Sequence, residues 1–401
     1  MSQAVRGDGR PFEVFIIAGE TSGDLLGAGL MAALGARCGG KVRFTGIGGP
    51  AMAAEGLASL FPLPEATIIG FSGLLTGIPK ILRRIRETAD AVLAARPDVL
   101  VLVDAPDFTH RVARRVRAGD PAIPIVDYVS PTVWAWRPGR ARAMRTYVDQ
   151  VLALLPFEPE VHRKLGGPPC TYVGHPMIER TAALRPTAAE MQRRMADPAR
   201  LVVLPGSRRK EIARLASVFG ATLGRVAAQG FRFEAIVPTL PALRPEIEAA
   251  VASWPVPARI VTERAEIDEA FRTARAALAA SGTVTLELAV AGIPTVVAYR
   301  LSTIEAWIGR LMIRVPSIVL ANLVLGENAI PEFIQQRATA RNLAAALAPL
   351  LDDTPERRRQ VAAFLKLDRL MGIGGEAPST RAAKALVECY ETKTGRLTPR
   401  P

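Results

Sequence analysis

Short apolar runs alternate with Ala-, Leu- and Arg-rich stretches of helical length along this whole chain. That alternation is the pattern of a doubly wound α/β protein, in which each strand is followed by a helix crossing back over a parallel sheet. The runs of the first half lie at 12–18, 42–47, 98–103, 123–129 and 150–155, and those of the second half at 201–204, 231–238, 258–261, 276–280 and 294–299. Those of the first half read as continuous and apolar, as strands buried on both faces should be. Between the two sets lies GGPPCTYVGHPMIER, whose Gly and Pro content marks a linker. The expected organisation is two Rossmann-like doubly wound domains, 1–178 and 179–365, with 366–401 a helix and tail that can pack back on the first. Open α/β sheets take ligands at the carboxyl ends of their strands, so two such domains are expected to face each other across a ligand cleft.

Composition narrows the class. A length of 401 residues, 49% hydrophobic and 22% charged, supports two globular domains with separate cores. Cys38, Cys170 and Cys389 are widely spaced and odd in number, which supports neither a disulfide framework nor a zinc ribbon and fits a reducing, cytoplasmic setting. His110, His162 and His175 lack metal-ligand spacing, and no Ser-His-Asp grouping or C-x-x-C pair occurs, so the expected chemistry uses no metal and no cofactor. The opening MSQAVRGDGR lacks the apolar core of a secretory signal, and no apolar run reaches 18 residues, so the chain is expected in solution or on a membrane surface. A net charge of +13 points to an anionic partner, or else reflects arginine-rich helix faces such as Arg111, Arg114, Arg115 and Arg117; both readings stand. Aromatic residues make up only 5% and are not interleaved with basic ones, so nucleic acid is not an expected partner.

Two stretches depart from the strand-helix pattern. Residues 66–84, ATIIGFSGLLTGIPKILRR, are apolar and Gly-rich and close on Lys80, Arg83 and Arg84. They suit a loop and helix lying among anionic headgroups, or equally a buried helix with its connection. Residues 303–324, with Trp307, Arg310 and Arg314, allow the same two readings.

Candidate site residues cluster where strands give way to helices. The first strand runs into AGETSGD, where Gly19, Glu20, Ser22, Gly23 and Asp24 form a turn that lets backbone approach a ligand. Its two acids disfavour a pyrophosphate and favour a sugar hydroxyl, while Ser22 and Asp24 would serve equally as helix caps. The third strand ends in Asp104, with Asp107 beyond Pro106. A carboxylate at a cleft mouth can act as general base toward an attacking hydroxyl, which makes Asp104 the candidate, although an Asp pair here also fits helix capping. After the fourth strand come Trp134, Trp136, Arg137, Arg140, Arg142 and Arg145, able to hold acyl chains and phosphate or to form a packed aromatic corner beside a solvated helix. In the second half LVVLPGSRRKEI places Gly206, Ser207, Arg208, Arg209 and Lys210 at a helix start, where positive charge opposes the helix dipole unless an anion binds. A further turn holds Ser281, Gly282 and Thr283, with Glu287 one helical turn on, suited to a diphosphate and ribose hydroxyls.

The strings AGETSGDLLGAGL, GGPAMAAEG, DAPDF, YVSPTVWAWRPGRA, LPFEP, VGHP, LPGSRRKEI and SGTVTLELAVAGIPTVVAYR, in this order and spacing, resemble the lipid-A-disaccharide synthase family. The resemblance runs from near the amino terminus to about Gln335. It implies a GT-B fold and a peripheral enzyme of lipid A (lipopolysaccharide) biosynthesis at the cytoplasmic face of the inner membrane. The implied reaction is an inverting hexosyl transfer from UDP-2,3-diacylglucosamine to the 6-hydroxyl of 2,3-diacylglucosamine 1-phosphate, giving a β-1′,6 bond and UDP. It also implies that Asp104 and Arg208 are catalytic, and that Asn322 joins Gly206, Ser207, Arg208, Ser281, Gly282, Thr283 and Glu287 at the UDP-sugar. The acceptor falls to Gly19, Glu20, Ser22, Gly23, Asp24, Trp134, Trp136 and Arg137. Ala321 stands where the family has Pro, so the Asn322 loop is expected to be less rigid, and Ile69-Gly70-Phe71 replaces the usual Met-Gly. A homodimer stays open. The rivals are a UDP-N-acetylglucosamine 2-epimerase on the same scaffold and a non-catalytic basic lipid-surface-binding protein.

Overall fold

The structure is a computed structural model that describes residues 10–66, 74–302 and 315–395. The expectations placed on Ile69, Gly70, Phe71, Trp307, Arg310 and Arg314 lie outside them. Two compact units emerge: residues up to Pro176 together with those from Gly375 onward, and Met177–Gly374. The boundary drawn at 365 moves to 374, because the helix Pro355–Met371 spans it and lies whole in the second unit.

Unit 1 is built on six parallel strands, β1 (Phe12–Ala18), β2 (Val42–Ile47), β3 (Val99–Val103), β4 (Ile125–Tyr128), β5 (Gln150–Ala153) and β6 (Cys170–Tyr172), in the order β2-β1-β3-β4-β5-β6. The helices α1 (Thr21–Arg37), α2 (Pro50–Ala54), α3 (Leu74–Ala95), α4 (Pro106–Gly119), α5 (Gly139–Met144) and α6 (Glu158–Lys164) connect them. Successive β1 side chains point to opposite faces. Phe12, Val14 and Ile16 pack against α1 and the carboxyl-terminal helix Pro378–Thr394, whereas Phe15 and Ile17 pack with residues of α3 and α4. Phe12 meets the Tyr390 ring edge-on at 5.1 Å, and Arg381 donates to the Tyr172 carbonyl at 2.6 Å, fastening the returning helix to the sheet. β6 is too short and too embedded in Gly and Pro for periodicity to reveal it.

Unit 2 repeats the plan with β7 (Ala199–Leu204), β8 (Phe233–Pro238), β9 (Ala258–Val261), β10 (Ala276–Ala280), β11 (Thr295–Tyr299) and β12 (Glu332–Ile334), ordered β12-β11-β10-β7-β8-β9 and all parallel. The expected doubly wound α/β fold is present in both units. Three arginines of this unit, Arg194, Arg275 and Arg357, are buried and donate to backbone carbonyls. Arg194 donates to the carbonyls of Phe271, Arg272, Ala291 and Gly292, at the ends of helices Arg264–Thr273 and Val284–Val290. Arg275 and Arg357 serve the carbonyls of Leu351 and Leu350. Helix ends leave carbonyls unsatisfied, and here side chains distant in sequence complete them.

Each sheet reverses its winding direction once. The reversal lies between β1 and β3 in unit 1 and between β7 and β10 in unit 2. The crevice outside the carboxyl ends of such a strand pair is where doubly wound sheets bind ligands. Among the described residues no helix is long and apolar enough to cross a membrane.

Candidate functional site

The crevice of unit 1 lies between the turn after β1 and the turn after β3. Asp104 stands at the end of fully buried β3, half-buried itself, and takes φ +59°, followed by Ala105 at +46°. Left-handed backbone costs an L-residue of order 1–3 kcal/mol and persists only where surroundings enforce it, often at functional sites. Here the Asp104 Oδ1 accepts the Ala105 N–H at 2.8 Å, and the Thr109 hydroxyl donates to the Asp104 carbonyl at 3.0 Å. The other carboxylate oxygen accepts from the exposed Ser22 hydroxyl at 3.2 Å. β4, beside β3, also ends in positive φ, at Val129 (+94°). Strain thus gathers at the carboxyl edge of two neighbouring strands, and it holds one carboxylate at the crevice.

The turn after β1 brings Ser22 to Asp104 but uses its glycines and its second acid differently from expectation. A Cβ on Gly19 would lie 2.1 Å from that of Ala105, so the close approach Gly19 permits is to the β3–α4 turn. Gly23 lies likewise against the Val103 carbonyl, 3.0 Å from where a Cβ would stand. Asp24 is 2% exposed and accepts the N–H groups of Gly49, Ala51 and Met52 at 2.8–3.0 Å. It caps α2 instead of meeting an acceptor, because those three amides consume its carboxylate. Glu20, the N-cap of α1, stays exposed. Asp107 sits in the first turn of α4 and pairs with Arg140 at 3.1 Å.

Beyond β4, the Trp134 indole N–H donates to Glu158 Oε1 at 3.1 Å, and its ring meets Phe157 edge-on at 5.4 Å. Trp136 is half-buried under the Arg137 guanidinium, 4.2 Å from the ring centroid. Glu158 is buried, and its second oxygen accepts the Leu155 N–H at 2.9 Å. Burial pushes its carboxyl up to about 7, against the lowering effect of those donors. Beside it Ser130 Oγ lies 2.9 Å from His162 Nε2, a ring whose pKa burial lowers. Neither Glu158 nor Ser130 stood out as a site residue in the sequence; Glu158 is the acid of the LPFEP string.

The crevice of unit 2 is a cavity of about 230 Å³ between the turns after β7 and β10, lined by Gly206, Ser207, Glu211, Ser281, Thr283 and Glu287 among others. Gly206 adopts φ +137°, and a Cβ there would lie 2.4 Å from that of Glu211. Glu211 reaches back from the first turn of the helix Arg209–Ala228 to accept the Ser207 N–H at 3.0 Å, and also takes Arg208 Nη1 at 2.9 Å. An acid in a helix's first turn that returns to the preceding backbone is a capping signal, which LPGSRRKEI carries in its Glu. Arg209 pairs with Glu246 at 2.7 Å. The positive charge at this helix start is therefore partly compensated by acids, contrary to expectation. Arg208 itself is 78% exposed, and the cavity wall is formed by its neighbours.

On the opposite turn, the backbone around Gly282 is open, since a Cβ there would meet nothing within 4 Å. The Ser281 hydroxyl donates to the Ile318 carbonyl at 2.8 Å and so faces the protein. Glu287 is half-buried, and desolvation raises its carboxyl pKa, with Arg264 opposing the shift. Asn322 is 2% exposed, and its amide is consumed by Ile330 N and O at 2.9 Å and by Ser317 Oγ at 3.3 Å. It closes the loop on which Ser281 leans, instead of lining the cavity. Glu332 adds a bond by accepting the Ile318 N–H at 3.0 Å, and Ala321, where the resemblance has Pro, is fully buried beside them.

Comparison with known proteins bears on both halves. A family model described as Lipid-A-disaccharide synthetase matches residues 14–385. The Lipid-A-disaccharide synthase of Nitrobacter hamburgensis is 58% identical over 382 residues, covering 95% of this chain and 96% of that protein. That of Bradyrhizobium diazoefficiens is 60% identical over 371 residues, covering 92% and 95%. Among solved structures, MurG of Acinetobacter baumannii is similar with a TM-score of 0.58 at 13% identity, covering 94% of this chain and all (100%) of that one. The UDP-GlcNAc 2-epimerase of Neisseria meningitidis bound to UDP-GlcNAc has a TM-score of 0.56 at 13% identity, covering 94% and 99%. At such identity the likeness concerns the GT-B fold alone.

Proposed function

The chain belongs to the lipid-A-disaccharide synthase family, and from that premise we propose a division of labour between its two crevices. Unit 2 binds the UDP-sugar, with the open turn at Ser281, Gly282 and Thr283 receiving the diphosphate and Glu287 accepting from ribose hydroxyls. Arg208 leaves Glu211 for the diphosphate and offsets the charge that grows on departing UDP. Unit 1 binds the acceptor, and Asp104 takes the proton from its 6-hydroxyl as that oxygen attacks the donor's anomeric carbon opposite UDP. Attack on that face through an oxocarbenium-like state inverts the centre and gives the β-1′,6 linkage. Ser22 holds the carboxylate toward the acceptor, while Trp134, Trp136 and Arg137 meet its lipid and phosphate portions.

A single observation carries this reading: a strained Asp104 held by Ser22 at the winding reversal of unit 1. Both proposed substrates are diacylated, and withdrawing acyl chains from a bilayer is unfavourable by roughly 0.8 kcal/mol per CH₂. The reaction therefore takes place at a membrane surface, which we assign to the cytoplasmic face of the inner membrane. Incubating the purified chain with UDP-2,3-diacylglucosamine and 2,3-diacylglucosamine 1-phosphate tests the proposal. Disaccharide and UDP in equal amounts are expected; consumption of the UDP-sugar without the acceptor would refute it.

A further inference from the structure

The four arginines that follow Trp136 do not share one role. Arg137 covers the Trp136 ring and Arg140 pairs with Asp107. Arg142 and Arg145 instead line an open groove of about 970 Å³ between α5 and the end of α6, where Lys164 joins them from the far wall. No carboxylate lines this groove. Among the described residues neither arginine has an acidic partner, and Lys164 shares the single Glu160 with Arg163, at 3.4 and 2.6 Å. Gly139 and Gly166 leave open space where side chains would project. Three exposed cations of one sign, brought together from two helices, repel one another until an anion lies between them.

We infer that this groove binds the phosphate of anionic membrane lipids and seats unit 1 on a bilayer surface, independently of residues 66–84. Two guanidinium groups three residues apart present paired N–H donors of the geometry phosphate accepts. No aromatic side chain lines the groove to stack a base, which favours a headgroup over single-stranded nucleic acid. The inference rests on the reading that both substrates are bilayer lipids, and it adds where the protein touches that bilayer.

The test compares partitioning onto phosphatidylcholine vesicles with and without phosphatidylglycerol at low and raised salt. It uses the full chain, the variant R142Q/R145Q/K164Q, and a control of equal charge change in unit 2, R225Q/R232Q/R341Q. Each basic residue near an anionic surface is worth roughly fivefold in partitioning, so the groove variant should lose on the order of a hundredfold at low salt, shrinking as salt screens it. The control should lose far less. Turnover of detergent-dispersed substrates by the groove variant should match the parent. Unchanged vesicle binding, or an equal loss in the control, overturns the inference, as does a raised acceptor KM in detergent, which would give the groove to the substrate's own phosphate. Absence of transferase activity in the parent chain, with vesicle binding intact, would instead sink the proposed function.

Discussion

The Ser22 hydroxyl donates to Asp104 Oδ2 at 3.2 Å, tying the first turn of α1 to the end of β3 where the sheet of unit 1 reverses its winding. This bond leaves Asp104 oriented and still partly open to solvent, as a base approached by a hydroxyl must be. Asp104→Ala should lower turnover by ~10² or more with UDP affinity unchanged. Ser22→Ala should lower it only about two- to tenfold, the worth of one hydrogen bond. Steady-state kinetics with calorimetric UDP titration separate the two; near-normal turnover of the Asp104 variant would remove that residue from the mechanism.

Gly206→Ala places a Cβ 2.4 Å from that of Glu211 at φ +137°. Strain of about 2 kcal/mol or more should push Glu211 off the Ser207 N–H and deform the cavity. The expected outcome is a raised KM for the UDP-sugar with the acceptor KM unchanged. Equal effects on both substrates would show a general loss of fold.

Arg208→Ala removes a side chain that is 78% exposed. Melting temperature should scarcely move, since surface changes stay within about 0.5 kcal/mol. Donor use should fall about tenfold to a hundredfold, the scale of a lost charged hydrogen bond to phosphate. A large fall in melting temperature with normal donor kinetics would make the residue structural.

Glu158 gives a pH dependence whose sign is fixed. Burial raises its carboxyl from 4.5 to about 7, so folding favours the protonated form. That contribution is complete below the unfolded value near 4.5 and is lost as pH rises through about 7. Chemical denaturation should show the parent losing on the order of 3 kcal/mol or less relative to Glu158→Gln across that interval. Trp134 fluorescence should titrate around pH 7 in the folded parent and stay flat in the variant. A constant difference between the two proteins at all pH values would contradict the assignment.

The apolar runs were enough to locate ten of the strands: fully buried strands such as β3 and β10 leave continuous apolar sequence, and the edge strands β2 and β9 keep enough apolar positions to show. β6 and β12 escaped because three-residue strands at a sheet edge carry no such signal. At the sites, residue type and strand-end position pointed to Asp104 and to the turns around Gly206 and Gly282. The roles of Asp24, Asn322 and Gly19 went unread for one physical reason. Each serves a segment distant in sequence, the α2 amides, the Ile330 backbone and Ala105, and pattern along the chain does not say which backbone will come near. Glu211 was the opposite case, since its capping signal lies within its own string.

The chain leaves unit 1 at Pro176 and returns to it at Gly375, and the returning helix packs Tyr390 against Phe12 of the first strand. Unit 2 is thus an insertion within unit 1. During synthesis, where domains ordinarily complete in the order they emerge, this chain inverts the order. The inserted unit has all its residues synthesised first, while the sheet begun by Phe12 has one face covered only in part, by α1, until the helix Pro378–Thr394 has been made. A nascent chain arrested before that helix would expose the part of this face that Tyr390 and its neighbours cover, making the amino-terminal unit the one that most needs chaperone protection.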